Sequence, residues 1–296
     1  MSATASPTAS AAPAAPAARV DTPARTTRVV GLPNNLSLTI DEAGPTATAT
    51  GPTADGGTVL LLHGGAGPRT MAGLATTLSE HVRTITPTHP GFDGTPRPEW
   101  ADSIADLAIA YLDLLDTLDL TGVMVIGNSV GGWIAAEMAL RDTRGRIGCL
   151  TLLNAVGIHT GTQDEILDVR ALAPAEISQL SFANAAFRPD FSTFTDRQRA
   201  GMAANQKTLA TYGGPFFTHD PKLHGRLHRV TVPVLVVWGE QDGIAPLPYG
   251  RAFADAFPTA RFAPIPEAAH FPHIEQPGRT LAAIGDFVDT VMKPTA

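Results

Sequence analysis

A hydroxyl, an imidazole and a carboxylate can together carry an acyl group from one oxygen to another, provided the hydroxyl is made nucleophilic. In this chain a candidate hydroxyl lies in Gly127-Asn128-Ser129-Val130-Gly131, between the apolar run "VMVI" and the helical pattern "VGGWIAAEMALR". The pentapeptide fits G-x-S-x-G. A strand that turns at once into a helix forces the middle residue into a strained backbone conformation, and small residues two places away let the elements approach. The hydroxyl is then raised at the C-terminal edge of a sheet, beside a helix N-terminus that favours developing negative charge. Such a turn also favours Gly and Ser on steric grounds alone, so the serine needs partners.

A serine requires a base and a carboxylate that orients it. The chain has nine histidines. His219, His224 and His228 stand among polar residues, His81 begins a strand run, His159 follows one and His89 lies in a Pro/Gly loop. His270 and His273 occur in "IPEAAHFPHIEQP", between the last strand run and the last helical pattern, on the sheet edge that would hold Ser129. His270 is nearer the strand and is the preferred base, with His273 as the alternative. For the carboxylate, "VLVVWGEQDGIAP" offers Glu240 and Asp242 just past a buried strand. Asp242 is preferred, although an Asp before Gly also serves as a turn or cap. Glu267 is a weaker alternative.

The elements that would place these groups read clearly. Eight strand runs are visible: "TTRVVGL", "LSLTIDEAG", "GTVLLLHGG", "VRTITP", "GVMVIGN", "RIGCLTLLN", "VPVLVVWG" and "ARFAPIP". Helical patterns fall at 71–80, 102–118, just after the elbow, at 248–257 and at 277–291; the second carries its apolar residues near the helical period. Repeated strand-helix order predicts a mostly parallel sheet covered on both faces. The alternation stops between about Val156 and Arg229, where helical pieces ("DEILDVRAL", "PAEISQLSF", "DRQRAGMAANQKTLA") occur without a strong strand. An inserted helical lid is the simplest account, leaving 26–155 and 230–296 as the core.

Composition limits the function classes. The 296 residues are 44% hydrophobic with net charge −7. No Lys/Arg cluster long enough to follow a phosphate backbone occurs, which disfavours nucleic acid as a partner. Cys149 is the single cysteine, so no intrachain disulfide supports the fold, and its apolar surroundings mark it as core. No cluster with metal-ligand spacing is evident, and neither a metal nor a cofactor is expected. Residues 1–25 are rich in Ala, Pro, Ser and Thr, without the basic and continuous apolar parts of a secretory leader. They read as a disordered tail. No run approaches the roughly 18 apolar residues of a membrane span. The cytoplasm is the expected location; oligomeric state is not legible.

Five segments together resemble the α/β-hydrolases with a lid: "LLHGGAG", "THPGFDGT", "GNSVGGW", "WGEQDGIAP" and "AAHFPHIEQP", in the family order Ser, Asp, His. The resemblance covers about 58–291. It implies an eight-stranded, mostly parallel sheet and a triad in which Ser129 attacks, His270 is the general base and Asp242 orients it. It also implies an oxyanion hole made by the amide of Val130 and that of Gly65 or Ala66, with His63 shaping the turn. Ala269 departs from the family, where Gly often precedes the histidine. The H-G-G-x-G form is similar to proline iminopeptidase-like relatives, but their acidic grip on a free amine is not identifiable here.

The reaction class that follows is acyl transfer through an acyl-enzyme. The preferred substrate is a carboxylic ester with a small or medium apolar acyl group. Trp133, Phe182, Phe187, Phe216 and Phe217, with Leu172 and Leu180, are candidate pocket residues. Carbon–carbon hydrolysis of ring-cleavage products is the alternative, because that branch often shows G-N-S-x-G-G; Phe271 stands where it usually carries Trp. An aminopeptidase is third. A non-catalytic receptor on the same fold is disfavoured by the complete Ser/Asp/His set.

Overall fold

The computed structural model describes residues 25–45, 57–161 and 166–291. The expected disordered tail, 1–25, lies outside the described residues apart from Arg25. Eight strands form one sheet: β1 (Thr26–Gly31), β2 (Ser37–Ala43), β3 (Thr58–Leu62), β4 (Arg83–Pro87), β5 (Val123–Asn128), β6 (Ile147–Leu153), β7 (Val234–Gly239) and β8 (Ala260–Ile265). Their spatial order is β1-β2-β4-β3-β5-β6-β7-β8. β1 and β2 form an antiparallel hairpin, β2 pairs antiparallel with β4, and all other neighbours are parallel.

The central strands bury both faces, which explains their continuous apolar runs. Side chains alternate between two cores. Leu60 and Leu62 of β3, Val125 of β5 and Val236 of β7 face one core. It is closed by α2 (Ile104–Thr117), α3 (Val130–Arg141) and α6 (Leu247–Asp255). Val59 and Leu61, Met124 and Ile126, and Leu235 and Val237 face the other, closed by α1 (Ala72–Leu78) and α8 (Pro277–Val291). Cys149 lies in this second core, and burial pushes its thiol up to about 12, so it is protonated and inert. Helix α2 starts where its sequence allows: Ser103 Oγ accepts the Asp106 amide, and the Asp106 carboxylate accepts the Ser103 amide.

Between β6 and β7 the chain forms a helical insertion. It holds α4 (Pro174–Ser181), α5 (Asp196–Gly213) and several short 3-10 segments. Among the described residues it contains no strand, only an isolated bridge from Gly157 to His219. The helical expectation for "DEILDVRAL" gives way to a 3-10 turn at Val169–Ala171, with 162–165 outside the described residues. The Asp168 side chain accepts the Arg170 amide, a local bond that competes with helix propagation.

The β5–α3 junction has no room for side chains at Gly127 and Gly131. A Cβ on Gly127 would lie 2.2 Å from Gly131 O, and one on Gly131 would lie 2.2 Å from Leu62 O. Both obstacles are backbone and cannot rotate away. Gly131→Ala is therefore expected to lower the free energy of unfolding by about 2–4 kcal/mol in urea titration. Gly285→Ala, in α8 with open space around it, should be neutral or stabilise by up to about 1 kcal/mol. Equal effects at the two positions would contradict the packing argument.

Candidate active site

Ser129 sits at φ 55°, ψ −120°, a conformation that L-residues adopt only under constraint. Its backbone is held from several sides. The Ser129 amide donates to Leu153 O at 3.0 Å, and its carbonyl accepts the amides of Gly132, Trp133 and Val156 at 2.9, 3.2 and 3.2 Å. The side chain is half-exposed at the N-terminus of α3. Asn128, fully buried beside it, donates through Nδ2 to Leu153 O at 3.0 Å and to His270 O at 3.1 Å. That second bond ties the elbow to the histidine loop.

Of the two candidate histidines, His270 meets the carboxylate. Its Nδ1 lies 2.8 Å from Asp242 Oδ2, with both residues buried. An ionised carboxylate only accepts, so Nδ1 carries the proton and Nε2 is left as the basic nitrogen. Asp242 Oδ2 also accepts Asn154 Nδ2 at 2.7 Å, while Oδ1 accepts the amides of Ile244 and Ala245 at 2.8 and 3.1 Å. Asn154 is itself fixed, since its Oδ1 accepts the Gly239 amide at 3.0 Å. Sequence reasoning missed Asn128 and Asn154; an amide side chain at the C-terminal end of two apolar strand runs was the available signal. Among the described residues neither Ser129 Oγ nor His270 Nε2 has a hydrogen-bond partner. The Asp242–His270 half is closed and the Ser129 half is open, an arrangement that commonly tightens only with substrate.

The alternatives lie elsewhere. His273 is buried in α7 (Pro272–Glu275) and donates from Nε2 to Thr70 O at 3.1 Å, away from Asp242. Glu240 is exposed, and Glu267 faces solvent beside Arg279 at 3.6 Å.

The "HGGAG" loop lies against the serine. A Cβ on Gly64 would come within 2.9 Å of Ser129 Cβ, and one on Gly65 within 2.6 Å of Leu209 in α5. Gly65 is half-buried, Ala66 exposed and Val130 buried at the first position of α3. His63 and His89 stack beneath this loop with ring centroids 3.6 Å apart. His63 Nε2 accepts the His89 amide at 3.1 Å, so its Nδ1 donates to Gly64 O at 2.7 Å. His89 donates from Nε2 to His63 O at 2.8 Å and accepts the Tyr111 hydroxyl at Nδ1. From above, Asn205 and Asp93 exchange two hydrogen bonds of 2.8 Å, and Tyr212 donates to Pro90 O at 2.9 Å.

The aromatic candidates separate. Phe182 stacks on Phe271 at 5.0 Å, and Phe271 meets the His270 ring edge-on at 5.4 Å. Phe217 is buried beneath the Arg170 guanidinium at 4.7 Å. Trp133 is buried against Gly157 with Nε1 unpaired. Phe187 and Phe216 are 41% and 52% exposed, on the outside of the insertion.

Residues 59–284 match the model of the alpha/beta hydrolase family. This chain belongs to that family. Among its relatives is the pimeloyl-[acyl-carrier protein] methyl ester esterase of Chromobacterium violaceum, 27% identical over 77% of this chain and 91% of that protein. Another is the 2-hydroxy-6-oxo-6-(2'-aminophenyl)hexa-2,4-dienoic acid hydrolase of Metapseudomonas resinovorans, 24% identical over 74% of this chain and 79% of that protein. The solved esterase of Exiguobacterium antarcticum shares the fold, with a TM-score of 0.69, 16% identity and coverage of 89% of this chain and 100% of that one. The chain is accordingly an enzyme, a hydrolase. Among the described residues no helix is long and apolar enough to cross a membrane.

This alpha/beta hydrolase keeps three imidazoles neutral under its loops. Burial pushes His63 and His273 each down to about 4. His89 lies well below its ordinary value through burial and the adjacent His63. In an unfolded chain each would titrate near 6.5. The unfolded state therefore binds more protons between those values. The stabilising contribution is complete above about pH 6.5 and is lost as pH falls towards about 4. For His63 and His273 a depression of this size corresponds to about 3 kcal/mol each. The urea midpoint is expected to drop steeply between pH 6.5 and 4, and His273→Gln should be less stable at pH 7 yet decline less steeply. Parallel curves for variant and wild type would exclude this origin.

Proposed function

We propose that the chain is a serine hydrolase that works through an acyl-enzyme on carboxylic esters with small or medium apolar acyl groups. The observation that carries this reading is the buried Asp242–His270 hydrogen bond, tied through Asn128 to the strained turn at Ser129. In the first step His270 Nε2 takes the Ser129 proton as Oγ attacks the acyl carbon. The carbonyl π-pair moves onto oxygen, where the amides of Val130 and of Gly65 or Ala66 stabilise it. These donors are fixed before the reaction and need no reorganisation. Collapse expels the alkoxide, which takes the proton from His270. Water then repeats the sequence on the acyl-enzyme, releases the acid and restores Ser129. Asp242 balances the imidazolium and holds its tautomer.

The insertion, 156–229, is read as a lid over this site, and Phe182 stacked on Phe271 is its best-placed apolar wall beside His270. Phe187 and Phe216 are poor walls in this arrangement because they face outward. A methyl ester esterase among the relatives supports the ester reading. The alternative, hydrolysis of a carbon–carbon bond in a ring-cleavage product, is favoured by the "GNSVGG" elbow and by the dienoic acid hydrolase relative.

A fluorophosphonate probe is expected to label the folded protein at Ser129, and Ser129→Ala should lower p-nitrophenyl butyrate turnover about ten-thousandfold. Unlabelled Ser129, or turnover that persists in the variant, would rule out this serine as the nucleophile. A panel of esters, lactones, amides and β-diketones then separates ester from carbon–carbon hydrolysis.

A further inference from the structure

The C-terminal end of a helix leaves carbonyl groups without intrahelical partners. In α4 two of these groups are met by the loops that carry the acid and the base. Leu180 O accepts the amide of Gly243, next to Asp242, at 3.0 Å, and Ser181 O accepts the amide of His270 itself at 3.0 Å. Glu275 adds a third link. Its carboxylate is buried, with Oε2 accepting the amide of Ala269 at 2.7 Å and Oε1 accepting that of Asn184 at 2.9 Å. Ala269 immediately precedes His270, and Asn184 follows α4 in the insertion. A buried carboxylate is costly unless its charge is met, and amide bonds to an ionised oxygen are among the stronger ones. One side chain thus spans the histidine loop and the insertion.

We infer that Glu275 is a positioning residue for His270, which it fixes in register with the α4 end of the insertion. The inference rests on the reading of Ser129 as nucleophile and His270 as base. Asp242 orients the imidazole from one side, but a single hydrogen bond leaves the ring free to pivot relative to Ser129. Two consecutive backbone amides fix the backbone from which the ring projects: that of Ala269 is held by Glu275 and that of His270 by Ser181 O. A misplacement of about 1 Å at a reacting group can cost about a hundredfold in rate. Loss of the Glu275 link therefore lowers turnover at assembled sites and leaves substrate affinity nearly intact.

The test counts active sites with a fluorophosphonate and measures kcat and KM for p-nitrophenyl butyrate. In Glu275→Gln one oxygen becomes an NH2 group, so one of the two amide links must break. The kcat per titrated site is expected to fall about tenfold to a hundredfold, with KM changed less than about twofold. Asn184→Ala, which loses the side-chain cap on the Ala186 amide but keeps the Asn184 N–H and should keep the wild-type kcat per site, is the control; Asn184→Pro removes that N–H as well, at a φ of −91° that is close to the proline range. It should lower kcat per site in the same direction by about threefold to tenfold. Wild-type kcat per site in Glu275→Gln and Asn184→Pro, even with fewer sites or a lower Tm, would reduce Glu275 to a support of the fold and overturn the inference. Should Glu275→Gln not fold, Asn184→Pro decides alone. If the wild-type protein is not labelled at Ser129, the serine reading falls and this inference with it; labelling with unchanged kcat overturns this inference only.

Discussion

The buried carboxylate of Asp242 is the constraint on which the site depends. A charge taken out of water at the end of an apolar sheet is destabilising unless its lone pairs are met. Here four donors meet them: the imidazole of His270, the amide of Asn154 and the backbone amides of Ile244 and Ala245. They come from the ends of three adjacent strands, β6, β7 and β8. The carboxylate cannot move without breaking bonds to two other loops. The same neighbours fix the imidazole tautomer, so the nitrogen that faces away from Asp242 is the basic one. Parallel strands make this convergence possible, because their C-terminal ends share one edge of the sheet.

The insertion belongs to this arrangement. The α4 end meets the amides of Gly243 and His270, while α5 lies on the glycine loop beside Ser129 through Leu209, Asn205 and Tyr212. Each half of the insertion therefore holds a different half of the site. Below, the stacked pair His63 and His89 supports the glycine loop with neutral hydrogen bonds. Neutral rings suit that position, since they satisfy backbone groups without placing a second charge beside the elbow.

Much of this was legible in the sequence because its signals are local. A strand buried on both faces reads as a continuous apolar run, and an amphipathic helix such as α2 repeats its apolar residues near the helical period. The elbow was legible from glycines whose spacing the backbone demands. What could not be read depends on contacts between distant segments. Nothing near Asn154 shows that its side chain will meet Asp242, and nothing near His89 shows that its ring will stack on His63. The insertion was harder again. It has few long apolar patterns, short Asx-type bonds such as that at Asp168 interrupt its helices, and its phenylalanines divide between buried Phe217 and exposed Phe216 for reasons that only the packing supplies.

In the proposed function Ser129 is covalently acylated during turnover, with His270 as its base and Asp242 orienting that base. Rapid acid quench of the protein with p-nitrophenyl butyrate, followed by peptide mass analysis, tests it most directly. A butyryl group is expected on the Ser129 peptide within the first turnover, and none in Ser129→Ala. Turnover of the ester by wild type with no acylated Ser129 peptide at any quench time, or with the acyl group on another residue, would contradict it.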